Sequence, residues 1–149
     1  MSKTRSAGAR VEPEYRSHVT LMLIGRELDP RLVSNVLGLR ATQTWTRGEL
    51  KRAPSGKVLS SEPHLDGGWK KSLPASQVAR PFPLQLRFWA VKLREKARAL
   101  SDLTGDGNLC ALNCYVATSG TASIIIPAAL QLDISALGLE LQLSVFAEA

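Results

Sequence analysis

The side chains best suited to metal binding or nucleophilic chemistry are few: His18, His64, Cys110 and Cys114 are the only histidines and cysteines of the 149-residue chain. A structural zinc site takes four Cys or His ligands, usually in closely spaced pairs. The chain has neither a Cys-x-x-Cys nor a His-x-x-x-His. Both thiols lie in "NLCALNCYV", a strand-forming run, and four positions along a strand span about 13 Å. A disulfide needs Cα atoms within roughly 7 Å. Two buried free thiols in a reducing compartment are therefore expected, with no metal site and no cofactor.

Catalytic spacing is absent elsewhere. No Gly-x-Ser-x-Gly occurs, and no Ser or Cys carries a sequence cue for a neighbouring base. "GDGN" at 105–108 is not a phosphate-cradling glycine loop. "SDLTGDGN" supplies Asp102 and Asp106 but no glutamate at the twelfth position of a calcium loop. Asp29, Glu49, Glu62 and Asp66 show no spacing that marks an acid–base pair. The sequence leans away from an enzyme. A site assembled only by the fold would be sought in a pocket lined by Trp45 or Trp69.

The remaining signal is cationic. Arg40–Arg98 holds thirteen Lys/Arg against four Asp/Glu, a net +9, whereas 99–149 holds none against five, a net −5. The first 39 residues hold six against four, which completes the net charge of +6. Within the basic stretch Arg47, Lys51, Arg52, Lys57, Lys70 and Lys71 surround Trp45 and Trp69. Cations interleaved with indoles suit an acidic protein groove or stacking on nucleic-acid bases. The plainer reading is a core tryptophan on each strand with a solvated rim of lysines. The candidate partner-binding set is Trp45, Arg47, Lys51, Arg52, Trp69, Lys70 and Lys71.

Elements must position these residues. "HVTLMLIG" (18–25) reads as an interior strand. Asp29 caps a helix whose first turn takes Pro30. Leu32, Val33, Val36 and Leu37 form its apolar stripe, and Gly38 stops it in a left-handed cap. "TQTWTRGELKR" then reads as a strand, able to form a long hairpin with "HLDGGWKKSL" across the polar loop "APSGKVLSSEP". "SLPASQVARPFP" is loop, broken by three prolines. The longest helix follows, "LQLRFWAVKLREKARALSDL", with Leu86, Trp89, Ala90, Leu93, Ala97 and Leu100 inward and Arg87, Arg94 and Arg98 on another side.

The segment "SNVLGLRATQTW" (34–45) has a second version, "ISALGLELQLSV" (134–145). Each Leu-Gly-Leu is a helix stop feeding a strand. In the second, Leu139, Leu141, Leu143 and Val145 alternate with polar positions, the pattern of a strand with one buried face. The prediction is an α+β domain over 17–149, an antiparallel sheet with helices on one face, ferredoxin-like or a doubled variant of it. Residues 1–16 are predicted to be a flexible basic tail.

The chain resembles a bacterial family of small proteins, the domain-of-unknown-function family 4279. The resemblance covers most of 18–147 and rests on "LDPRLVSNVLGLRATQTWTRGE" with Thr42 and Gly48, on "GGW" at Gly67, Gly68 and Trp69, and on "ISALGLELQLSVF". It implies a compact α+β domain and no particular chemistry. By analogy of size and type, it points to an immunity or partner protein beside a bacterial toxin system. The functional expectation is a non-catalytic protein-interaction module that binds an acidic protein surface. The alternative is a weak, nonspecific nucleic-acid binder using the same basic hairpin. The N-terminus lacks the apolar stretch of a secretory signal and no run approaches membrane-span length, so a cytoplasmic location is expected.

Overall fold

The computed structural model describes residues 14–148. Its strands are β1 (Tyr15–Gly25), β2 (Gln43–Trp45), β3 (Leu50–Arg52), β4 (Val58–Pro63), β5 (Gly67–Lys71), β6 (Leu109–Thr118) and β7 (Glu140–Ala147). Its helices are α1 (Pro30–Leu37), α2 (Ala75–Val78), α3 (Phe82–Lys92), α4 (Ala97–Gly105) and α5 (Ala128–Ala136). The main sheet runs β2-β5-β1-β6-β7. All neighbours are antiparallel except β6 and β7, which are parallel and joined through α5. Strand β5 therefore lies between β1 and β2, the two strands joined by α1. That is the split β-α-β arrangement, extended by one strand at the far edge. The mixed α+β class with helices on one face agrees with the sequence reading.

The helix stops fall where Leu-Gly-Leu placed them. Asp29 Oδ1 accepts from the Arg31 amide at 3.0 Å, and Pro30 opens α1. Gly38 and Gly138 end their helices at φ 66° and 71°, a conformation that costs a side-chain-bearing residue about 1–2 kcal/mol. The two helix–glycine–strand units feed opposite edges of the sheet, β2 and β7.

Core packing comes from one face of the central strands. Val19, Leu21 and Leu23 of β1 and Cys110, Leu112 and Cys114 of β6 meet Val33, Leu37, Leu86, Trp89, Leu93 and Leu100 from the helices. Strand β5 ends opposite Leu21, which leaves the first half of β1 without a strand on that side among the described residues. Two α3 side chains stand in for it: Gln85 Nε2 donates to the Ser17 carbonyl at 3.0 Å, and Trp89 Nε1 to the Val19 carbonyl at 2.9 Å. Gln85 is fully buried and its Oε1 accepts from Ser17 Oγ, so the polar group is satisfied, as burial requires.

Several expectations are corrected. The long helix is two helices, α3 and α4, separated by a 3-10 turn at Arg94–Lys96. Helix α3 begins at Phe82 with Pro83 in its first turn, inside the stretch read as loop. The polar loop "APSGKVLSSEP" contains β4, which pairs with β3, whereas β5 pairs with β2. The expected hairpin is thus an inner β2–β5 pair that continues outward as a β3–β4 arm. Tyr15 and Arg16 belong to β1 rather than to a tail, and the rest of the expected tail, 1–13, lies outside the described residues. The alternation in β7 predicted a buried face, yet only Leu139 is buried. Leu141, Leu143 and Val145 stay 45%, 59% and 60% exposed. They pair with core positions Leu112, Cys114 and Val116 of β6, but no helix among the described residues covers them.

Candidate functional site

The basic residues singled out in the sequence gather at the β2 edge and on the arm beyond it. "GGW" sets the geometry there. A Cβ on Gly67 would stand 2.5 Å from the Leu28 carbonyl oxygen, and one on Gly68 would stand 2.0 Å from the Trp45 ring. The first glycine admits the backbone that leads into α1. The second lets the Trp45 indole lie flat on the sheet. Trp69 then turns to the opposite face, where it is fully buried and donates from Nε1 to Ser34 Oγ at 2.9 Å.

Trp69 therefore has no surface to offer a partner and drops out of the candidate set, because its register opposite Leu23 places it on the core face of the sheet. Trp45 sits opposite Gly68 on the other face and is half-buried. His64 stacks on its ring at 5.2 Å between centroids, and Lys70 Nζ lies 5.6 Å above it. Its Nε1 is buried without a hydrogen-bond partner among the described residues.

The cations divide into anchored and projecting. Arg47 forms an ion pair with Glu27 at 3.0 Å, which ties the root of the arm to the turn before α1. Lys71 Nζ donates to the Arg40 carbonyl, and Arg52 donates to the Gly56 carbonyl in the arm's own turn. Lys51 and Lys57 lie on the arm with no carboxylate partner among the described residues. The spacing of charges gave no hint of what lies between them. Leu50, Val58, Leu59 and Leu65 are 40%, 43%, 64% and 80% exposed. No residue from Thr46 to Asp66 is buried. The arm is an extension of exposed aliphatic side chains with cations among them.

Chemistry-bearing residues do not converge on the arm. Cys110 and Cys114 are buried in the core. Burial pushes the Cys114 thiol up to about 12 and raises that of Cys110, where a hydrogen bond from Thr104 opposes the effect. His18 lies on the other face of the sheet, opposite Tyr115, and burial lowers its pKa. A pocket lined by tryptophan was the expected place for a small ligand. The structure instead opens a cavity of about 720 Å³ beside the unpaired half of β1, lined by Tyr15, Arg16, His18, Arg80 and Tyr115 among others. Its polar groups are partly engaged: Arg16 pairs with Glu148, and the Tyr15 hydroxyl accepts from the Phe82 amide. Smaller hollows lie along α3 beside Arg87 and Arg94. No helix among the described residues is long and apolar enough to cross a membrane.

The family model described as Domain of unknown function (DUF4279) matches residues 13–147. The chain belongs to this family. The matched span takes in every described strand and helix, so the arm and β7 are parts of the family domain. No curated protein and no solved structure matches the chain.

Proposed function

We propose that this member of the family is a non-catalytic protein-interaction module that binds an acidic partner protein through its β3–β4 arm. The observation that carries this reading is the arm itself. It contributes nothing to the core, yet it displays Leu50, Val58 and Leu59 beside Lys51, Arg52 and Lys57. Exposed aliphatic groups ringed by charge are the composition of a recognition surface. The cations would steer a carboxylate-rich partner and fix its register.

Nucleic-acid binding through the same surface is less well supported. Base stacking needs a free aromatic face. Trp69 is in the core, and the Trp45 ring is engaged by Gly68, His64 and Lys70. A role as the immunity or partner protein of a toxin fits the reading if the toxin presents an acidic surface, since a basic arm does not complement a nucleic-acid-binding site.

The test is a pull-down from the native host with the wild-type chain and with an Arg47→Glu, Lys51→Glu, Arg52→Glu, Lys57→Glu variant, run with and without nuclease. One stoichiometric protein that resists nuclease, has an acidic surface and is lost at least tenfold in the variant is the expected result. Heterogeneous DNA or RNA, or equal capture by both proteins, would reject the proposal.

A further inference from the structure

Strand β7 carries a demand for burial that the described residues leave unmet. Its alternation places Leu141, Leu143 and Val145 on the helix side of the sheet, and all three remain about half exposed or more. Its eight residues pair with β6 on one side only; the other side is an open edge among the described residues. It carries no Lys, Arg or Pro within Glu140–Ala147, so it lacks the usual safeguards of an edge strand. Residues 1–13 hold three Lys/Arg and a single branched aliphatic, Val11, which is a poor match in composition for three aliphatic positions.

We infer that β7 pairs antiparallel with β7 of a second copy of this chain about a two-fold axis, joining two five-stranded sheets into one. The strand is complementary to itself in one register. With the axis at Leu143, Leu143 opposes its own copy, Leu141 opposes Val145, Gln142 opposes Ser144 and Glu140 opposes Phe146. Aliphatic side chains then meet aliphatic side chains on the helix side, and no carboxylate meets another. Sliding the pairing by two residues toward the C-terminus sets Glu140 against Glu148, like charges directly opposite, which is destabilising. Sliding it the other way sets Val145 against Leu139, which is already buried in its own chain. At the roughly 30–40 Å² that each residue of a standard interface loses, eight residues a side bury about 600 Å² in total. The dimer is therefore weak, in the micromolar range, and its apolar and backbone contacts make it insensitive to salt.

Two measurements test this. Sedimentation velocity between about 1 and 500 μM should show a monomer–dimer equilibrium that persists at high salt, and Leu143→Lys, which sets two ammonium groups face to face, should leave a folded monomer. Single-cysteine variants at 141–145, with Leu132→Cys on α5 as control, would then be treated with a mild oxidant and run on non-reducing gels. These variants also carry Cys110→Ala and Cys114→Ala, because Cys114 is the β6 neighbour of position 143 and would otherwise compete for its thiol. Directly opposed Cβ atoms in an antiparallel pair lie about 4.5–5.5 Å apart, so Leu143→Cys should give the most cross-linked dimer. A monomer at every concentration, cross-linking no greater than that of Leu132→Cys, or a maximum at another position would overturn the proposal. Because salt and the arm variant leave this readout unchanged, its failure is separable from failure of the arm's partner binding.

Discussion

Burial of Cys114 makes the stability of the domain depend on pH in a defined direction. The thiol is held up to about 12 in the fold, against 9.0 when exposed. Below pH 9 both folded and unfolded chains keep the proton, and the contribution is complete. Above pH 9 the unfolded chain releases it first, so stability is lost as pH rises toward the folded value, by about 1.4 kcal/mol per pH unit. Urea unfolding of the wild type and Cys114→Ala between pH 8 and 11 should show a steeper decline in the wild type; parallel curves would contradict the burial. The thiols were legible as buried from a strand-like context alone. The two tryptophans were not separable in that way. Trp45 and Trp69 both sit on strands beside lysines, and what distinguishes them is the register of β5 against β1, a pairing between distant segments that local pattern does not encode.

At the level of elements, the local signals were those that survived. Asp29-Pro30 and Leu-Gly-Leu act within a single turn, and both glycines stop their helices in the left-handed region. Replacing Gly38 or Gly138 with Val should each lower stability by about 1–2 kcal/mol, because a β-branched residue resists the left-handed cap. Thermal melting of both variants checks this, and unchanged midpoints would mean the caps are not required. The break between α3 and α4 leaves no mark on the sequence pattern because the apolar stripe continues across it: Leu93 and Leu100 are buried on either side of the 3-10 turn. Strand β4 leaves none for the opposite reason. It faces no core, so nothing imposes alternation on Val58–Pro63.

For the molecule as a whole, the charge asymmetry along the chain becomes an asymmetry across the sheet. The basic stretch supplies β2, the arm and β5, and the acidic stretch supplies β6, α5 and β7 at the far edge. The arm can be removed without touching the core. Replacing residues 47–66 with Asn-Gly would close Thr46 onto Gly67 with a two-residue hairpin turn. The shortened chain should melt within about 4 °C of the wild type, lose its acidic partner and still sediment as a dimer. Loss of folding would show that the arm belongs to the structural unit. The overall class and the position of the arm were readable from the sequence, but the exposed face of β7 was not, because alternation specifies that a face must be covered without specifying by which chain.

The central strand has a further consequence for how the chain is made. Strand β1 emerges first, yet its longest partner is β6, with Tyr15 opposite Thr118. At about 5–20 residues per second, synthesis takes on the order of 5–20 s to close that gap. Throughout that interval Val19 and Leu21 lack the strand that completes their side of the sheet. Contacts this far apart in sequence also slow refolding. The newborn chain thus holds an apolar core strand without its longest partner for seconds before the sheet can close.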